Sequence, residues 1–159
     1  MPGNVQSLQR FFNTGENPIE YHAETRASSI HGLGVFARRD ISRGTAWWHA
    51  RQQDVLLVTR AQHEALRASV QSDAITTFRD TIVFYAYYLV EEDVLVFCLD
   101  NARYVNHSDV PNSGLGADRN PFRSVALRDI HAGEDIVENY RGYARCPWAT
   151  MYRAFLEKG

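Results

Sequence analysis

The sequence predicts a mostly β domain, with many short strands joined by glycine turns and only a few helices. Short runs rich in β-branched and aromatic residues recur along the chain, as in strands. Glycine turns separate several of them, at 31–34, 40–44 and 131–133. The 159 residues, 45% of them hydrophobic, suffice for one domain with a core.

Composition excludes several classes of protein. The net charge of −2 predicts no direct nucleic-acid partner. The only cysteines, Cys98 and Cys146, exclude a Cys-rich zinc cluster and provide no disulfide framework. No apolar run reaches membrane-spanning length, and the N-terminus lacks the apolar segment of a signal peptide. We therefore expect no membrane partner and a soluble intracellular protein, in the cytoplasm or nucleus.

The first third of the chain predicts an N-terminal extension and four strands. Val5, Leu8, Phe11 and Phe12 have helical spacing, which indicates either a short helix docked on the body or a frayed tail. Strands are predicted over 21–29, 35–37, 45–50 and 55–58.

The middle of the chain predicts two helical segments and two strands. Thr59 and Gln62 match a capping box, which opens a helix through about Val70. The side chains expected to face inward from it are Ala61, Ala65, Leu66 and Val70. A second helical turn starts near Asp73. Strands follow over 82–90 and 94–99, and alternation puts Tyr85 and Tyr87 on one face of the first and Tyr88 on the other.

The last third predicts strands over 122–127 and 136–140 and a terminal helix. Pro147 suits the first turn of that helix. One of its faces would carry apolar residues, namely Trp148, Met151, Tyr152, Phe155 and Leu156.

Residues 101–112 (NARYVNHSDVPN) concentrate amide, guanidinium, imidazole and hydroxyl groups in a short loop. Such groups need hydrogen-bond partners when they are buried. An isolated Asn-His pair favours a turn network that satisfies itself. Two further segments argue for a site instead, HGLGVFA at 31–37 and GEDIVENY at 133–140.

In this order, the three segments resemble the SET domain of S-adenosylmethionine-dependent protein lysine methyltransferases, over about residues 24–143. The resemblance implies the β-clip or SET fold, in which small curved sheets surround a pseudoknot-like crossing. The C-terminal segment would pass under the loop that holds the Asn-His motif. It also implies an N-terminal extension (1–20), a SET domain (21–143) with a variable insert at about 59–81, and a C-terminal helix (144–159) that closes the site.

The resemblance implies S-adenosyl-L-methionine as cofactor, held by six residues. Leu33 and Gly34 would contact it through their backbone, and Asn106 and His107 would hold the adenosine. Arg103 would contact polar portions of the cofactor, or pair with Asp100 or Asp109. Trp148 would cover the adenine, with Tyr143 as the other candidate, or would anchor the C-terminal helix.

The resemblance implies that Tyr140 is the catalytic residue. The alternative is that Tyr140 is a tyrosine packed on the core at the end of a strand. Tyr104 and either Tyr85 or Tyr87 would line the lysine channel. Glu138 would share the face of Tyr140 and point into that channel, or would pair with Arg141 or another base outside it.

One position departs from the family pattern. His49 or Ala50 stands where many histone-modifying relatives carry a channel aromatic, so the sequence does not imply a histone target.

The implied reaction is methyl transfer to the side-chain amine of a lysine in a protein substrate, histone or non-histone. Two alternatives stay open. One is a catalytically weak module that binds the cofactor or a partner without turnover, and the other is methylation of something other than a protein lysine. So small a member is also a candidate for a homodimer that completes its substrate groove.

Overall fold

Ten strands in three small sheets and three short α-helices make up the part of the chain that the structure describes. The structure, a computed structural model, describes residues 5–69 and 71–149. The strands are β1 (Ala23–Ala27), β2 (Leu33–Ala37), β3 (Ala46–His49), β4 (Val55–Thr59), β5 (Tyr87–Leu89), β6 (Val94–Cys98), β7 (Asn106–His107), β8 (Ser113–Leu115), β9 (Arg123–Ala126) and β10 (Asp135–Glu138). The helices are α1 (Ile19–His22), α2 (Arg60–Ala68) and α3 (Asp73–Tyr85). The mostly β prediction is confirmed.

The sheet that positions the site has the order β1-β2-β10-β7. β10 is antiparallel to β2 and parallel to β7. The parallel pairing sets Val137 opposite Asn106 and Glu138 opposite His107. The Asn-His motif therefore lies beside the strand that leads to Tyr140.

Asn112 fastens the loop after β7 to β10. Asn112 is 1% exposed, and its side chain donates to the carbonyl of Asp135 (2.8 Å) and accepts from the amide of Val137 (2.9 Å). At the start of the loop, the amide of Ser108 donates to the carbonyl of Glu138 (3.0 Å). Buried backbone groups need such partners, so this loop and the C-terminal strand are held together at the place where the resemblance predicts a crossing.

The other sheets have the orders β3-β9-β8 and β4-β6-β5. The N-terminal extension docks on the first of them, as one alternative predicted. Val5–Phe11 is a 3-10 helix with Leu8 fully buried. Phe12 stacks on Phe122 with ring centroids 4.3 Å apart. Leu8 and Phe122 belong to the larger of two hydrophobic cores in the described part of the chain, and Phe12 packs against that core.

The capping box of α2 is confirmed, but its inward face is wrong. The amide of Gln62 donates to the Thr59 hydroxyl (3.2 Å), and the amide of Thr59 donates to the Gln62 side chain (2.9 Å). Ala61 and Ala65 are exposed, whereas His63 is buried. Of the predicted inward set Leu66 is half-buried, and Val70 lies outside the described residues.

The strand predicted from Ile82 begins too early. α3 runs to Tyr85, with the Ser72 side chain accepting from the Ile75 amide at its N-terminus (3.2 Å). Ile82 and Val83 are buried as members of this helix, so the packing of the helix outweighs their β propensity. Tyr85 and Tyr87 therefore do not share a strand face.

After the last strand, residues 144–149 carry bends and one isolated bridge between Ala144 and Tyr88. Pro147 opens no helix within the described residues. The rest of the predicted helix, with Met151, Tyr152, Phe155 and Leu156, lies outside them. None of the helices that the structure describes has the length and apolar character needed to cross a bilayer.

Candidate functional site

One cavity of about 890 Å³ lies where the three family-like segments meet. This volume falls in the range of small-molecule sites. Nine of the eleven residues predicted for the site line it, namely Leu33, Tyr85, Tyr87, Arg103, Tyr104, Asn106, His107, Glu138 and Tyr140. Gly34 and Trp148 are not among its lining residues.

Asn106 ties the Asn-His motif to the glycine turn. It is 8% exposed, and its Nδ2 donates to the carbonyls of His31 (3.2 Å) and Leu33 (3.1 Å). Residues 31–33 of the turn line the cavity at the same place. The Asn106 amide therefore shapes the wall of the cavity, whatever it also contributes to a ligand.

Gly34 lies behind this wall, where a side chain has no room. A Cβ there would lie 2.8 Å from Ser28 Cβ, 3.1 Å from Asp135 Oδ1 and 3.2 Å from Asn106 Nδ2. Close packing on Ser28 above all, and then on Asp135 and Asn106, accounts for the glycine. Of the predicted backbone pair only Leu33 is among the residues that line the cavity.

His107 connects the motif to Tyr140. The backbone amide of Tyr140 donates to His107 Nδ1 (3.0 Å), so that nitrogen carries no proton and Nε2 is the N–H of the ring. His107 Nε2 lies 3.2 Å from Asp109 Oδ1. Arg141 also donates to Asp109 (3.0 Å), and this hydrogen bond is the largest cause of the lowered pKa of that carboxyl. The imidazole is therefore fixed on both sides.

Tyr140 follows β10 rather than ending it. It opens a 3-10 turn over Tyr140–Gly142, in which the side chain of Asn139 accepts from the amide of Arg141. The Tyr140 hydroxyl donates to the carbonyl of Val105, and its ring centroid lies 5.5 Å from that of His107. The predicted strand over 136–140 is two residues too long, yet Glu138 and Tyr140 both face the cavity.

Glu138 is surrounded by hydroxyl donors. Its Oε1 accepts from Ser113 Oγ (2.9 Å) and Ser124 Oγ (2.8 Å), and its Oε2 accepts from the Tyr143 hydroxyl. Glu138 is 7% exposed as a residue and lines the cavity. Glu138 therefore faces the cavity, and Arg141, the alternative partner, donates to Asp109.

Aromatic rings form the wall near Glu138. The rings of Tyr87 and Tyr143 are 5.7 Å apart, and the Tyr87 hydroxyl donates to the carbonyl of Pro121 (2.6 Å). Burial raises the pKa of both phenols well above the ordinary value. The rings of Tyr85 and Tyr104 meet edge to face, with centroids 5.6 Å apart. Tyr85 and Tyr87, which were predicted as alternatives, both line the cavity.

Arg103 is held by backbone oxygens and a phenol. It donates to the carbonyls of Leu99 (2.9 Å) and Asp100 (3.0 Å) and to the Tyr104 hydroxyl (2.9 Å). The Asp100 carboxylate accepts instead from Trp48 Nε1 (2.8 Å). Arg103 lines the cavity, and these bonds differ from the predicted ion pairs with Asp100 or Asp109.

Sequence reasoning missed two indoles of the cavity wall, Trp47 and Trp48. Both are buried and line the cavity, and a register irregularity of β3 falls between Ala46 and Trp48. The adjacent pair Trp47-Trp48, immediately before His49 in the sequence, could have indicated these cavity residues. His49 itself bonds to the carbonyl of Phe11 (3.0 Å), away from the cavity.

Trp148 is not at the cavity. Its indole donates to Asp93 Oδ1 (2.6 Å), and its ring packs against Tyr88 (6.2 Å) and His63 (5.4 Å). Tyr88 belongs to a second hydrophobic core, which includes Ile82 and Val83 of α3, and Trp148 packs against it. Of the two predicted roles, the structure places Trp148 as an anchor of the C-terminal segment, while Tyr143 lines the cavity.

Comparisons with known proteins give a family match and structures of similar fold. The SET domain family model matches residues 32–141. A chain of ctPRC2, in an autoinhibited conformation bound to S-adenosylmethionine, is similar with a TM-score of 0.53 and 17% identity, over 86% of this chain and 17% of that chain. A humanized mutant of the Chaetomium thermophilum Polycomb Repressive Complex 2, bound to the inhibitor GSK126, gives 0.52 and 19%, over 79% and 15%.

The Neurospora SET domain protein DIM-5, a histone lysine methyltransferase, gives a TM-score of 0.49 and 18% identity, over 77% of this chain and 54% of that chain. The chain thus spans less than two thirds of each of these three chains. At identities this low, the two structures with TM-scores above 0.5 show a shared fold and nothing finer.

Proposed function

This chain belongs to the SET domain family, and from that membership we propose that it transfers a methyl group from S-adenosyl-L-methionine to a lysine side-chain amine of a protein substrate. The observation that carries the proposal is the continuity of one cavity. It reaches from the turn at residues 31–33 past His107 and Tyr140 to the aromatic wall of Tyr87 and Tyr143. A donor and an acceptor bound in one cavity can meet at Tyr140.

The cavity has the groups that such a cofactor requires. Backbone at residues 31–33, the Asn106 amide and the Arg103 guanidinium are polar groups suited to an adenosine and an amino-acid moiety. Gly34 packs directly behind this wall, with no room for a side chain, and this packing keeps the wall in place. When bound, S-adenosyl-L-methionine supplies an electrophilic methyl group on a sulfonium sulfur, which a neutral amine accepts.

Positioning is the main contribution of the protein. Tyr140 is fixed by its amide on His107 Nδ1 and by its hydroxyl on the carbonyl of Val105. Preorganised placement of two reactants supplies several kcal/mol, up to about 7–11 in favourable cases. Attack requires a neutral amine, and the positive charge of a bound sulfonium would favour that form of an amine whose ordinary pKa is about 10.4.

The substrate in this proposal is a histone or another protein. The aromatic that many histone-modifying relatives carry is absent at His49 and Ala50. Trp47 and Trp48 supply indole rings to the same cavity instead. A homodimer that completes the substrate groove remains part of the proposal.

Incubation with radiolabelled cofactor tests the proposal. The purified chain is mixed with labelled S-adenosyl-L-methionine and either histones or a cell extract, and heat-denatured chain serves as control. The proposal expects a labelled protein band whose label is recovered as methyl-lysine after hydrolysis. Cofactor binding without any labelled product would contradict it.

That contradicting result would support the second candidate, a module that binds without turnover. The observation in its favour is Glu138, because a carboxylate beside an amine stabilises the charged form, which does not attack.

A further inference from the structure

Glu138 is a buried carboxylate without a cationic partner in the described part of the chain. It is 7% exposed, and the ion pairs found among residues 5–69 and 71–149 do not include it. Buried charges in proteins are normally paired. The cavity that Glu138 faces is therefore where a partner would bind.

The hydrogen-bond directions around Glu138 are those of an ionised carboxylate. The indole N–H of Trp47 can only donate, and it donates to Ser113 Oγ (2.7 Å). The hydroxyl proton of Ser113 must then point elsewhere, and Glu138 Oε1 lies 2.9 Å away. Ser124 and Tyr143 donate to the same carboxylate. Three hydroxyl protons thus point at Glu138, an arrangement that suits an acceptor-only group.

The two arginines of the cavity wall are engaged elsewhere. Arg103 donates to backbone carbonyls of Leu99 and Asp100. Arg123 pairs with Asp118 (2.9 Å). An ionised carboxylate offers about four acceptor sites, and hydrogen bonds from residues that the structure describes fill three of them at Glu138. One acceptor site and the negative charge are left for a ligand.

The neighbouring rings also favour a cation. Tyr87 and Tyr143 form the wall beside Glu138, and aromatic faces attract ammonium groups. A carboxylate with one remaining acceptor site suits an N–H donor with a positive charge. A neutral side chain of the same length would leave the charge uncompensated.

We propose that Glu138 is the specificity-determining residue that binds the ammonium group of the substrate, so that the cavity accepts a primary alkylammonium over a neutral chain of the same size. The inference rests on the proposed function in that the substrate is taken to enter this cavity. Glu138 strengthens binding of the charged amine. Before attack the ammonium gives one proton to bulk water, and the electron pair of the broken N–H bond becomes the lone pair that attacks.

Binding of two small probes tests this directly. n-Butylammonium chloride and n-butanol are titrated at pH 7 and constant ionic strength into the full chain. The signal is the NMR resonance of the Trp47 indole N–H, one of three indoles in the chain, because Trp47 reaches Glu138 through Ser113. A charge-assisted hydrogen bond predicts a preference for the ammonium of roughly 10- to 100-fold.

Glu138→Gln keeps the size of the side chain and an acceptor oxygen but removes the charge. We expect the preference to fall to about twofold or less. Tyr143→Phe is the matched variant, since it removes one hydroxyl donor and keeps the charge, and it should retain the preference.

Three results would overturn the inference. They are equal binding of the two probes by the wild type, an unchanged preference in Glu138→Gln, and a loss in Tyr143→Phe as large as in Glu138→Gln. The wild-type comparison decides even if a variant does not fold. No result depends on turnover, so failure of the methyltransferase proposal and failure of this one are separate outcomes.

Discussion

Replacing Asn106 by Asp tests whether the Asn-His motif builds the cofactor wall. Asn106 Nδ2 donates to the carbonyls of His31 (3.2 Å) and Leu33 (3.1 Å). An ionised Asp has nearly the same shape but donates nothing. Both hydrogen bonds are lost, and a carboxylate oxygen then faces two carbonyl oxygens across the same gaps.

The expected loss follows from these two bonds. Leaving a buried group without its partner costs about 1–3 kcal/mol. Movement of the turn relieves only part of two such losses. The ordered conformation of the wall therefore becomes less stable by about 2–4 kcal/mol. If the cofactor requires that wall, its Kd rises by about 30- to 700-fold.

Calorimetric titration of S-adenosyl-L-methionine into the wild type and Asn106→Asp measures the effect. Asn101→Asp is the matched control, because Asn101 is exposed and is not among the cavity-lining residues. Circular dichroism confirms that each variant is folded. A folded Asn106→Asp protein with a Kd within threefold of the wild type would refute the reasoning.

Two further predictions concern Asp93, which accepts from Tyr88 (2.7 Å) and Trp148 (2.6 Å). Trp148→Phe should lower the free energy of unfolding in urea by about 1–2 kcal/mol and leave the cofactor Kd within threefold, whereas a tenfold weaker Kd would put Trp148 at the adenine. Burial, with the Asp93 hydrogen bond, raises the pKa of Tyr88 to about 12, so its contribution to stability is full below pH 10 and disappears as the pH rises through 12. Urea unfolding between pH 9 and 12 should show a steeper loss for the wild type than for Tyr88→Phe, and equal slopes would contradict this assignment.

Local signals made much of the fold and site predictable. The capping box at Thr59 and Gln62 and the turns around glycine depend on neighbours in the sequence. The three family-like segments placed Asn106, His107 and Tyr140 correctly in one cavity, since each motif carries its own chemistry.

Long-range contacts decided the rest. The donors to Glu138 come from Ser113, Ser124 and Tyr143, in three separate segments, and nothing in the sequence near Glu138 announces them. Trp148 offered a suitable stacking face for adenine, but Asp93 and Tyr88 hold it in the second core.

The strand predicted from Ile82 failed for a similar reason. A β-branched run suits either a strand or one buried face of a helix, and the cap at Ser72 together with burial of Ile82 and Val83 selects the helix.

The central claim is that this chain is a methyltransferase in which Tyr140 acts in methyl transfer. Single-turnover methyl transfer by the Tyr140→Phe variant tests this claim most directly. Phe keeps the ring and the amide that donates to His107, and only the hydroxyl on the carbonyl of Val105 is lost. With enzyme in excess over labelled cofactor and a lysine-bearing protein that the wild type methylates, we predict a rate lower on the order of 10²-fold or more, with melting temperature and cofactor Kd near wild type. A folded Tyr140→Phe protein that binds cofactor and methylates at the wild-type rate would contradict the claim.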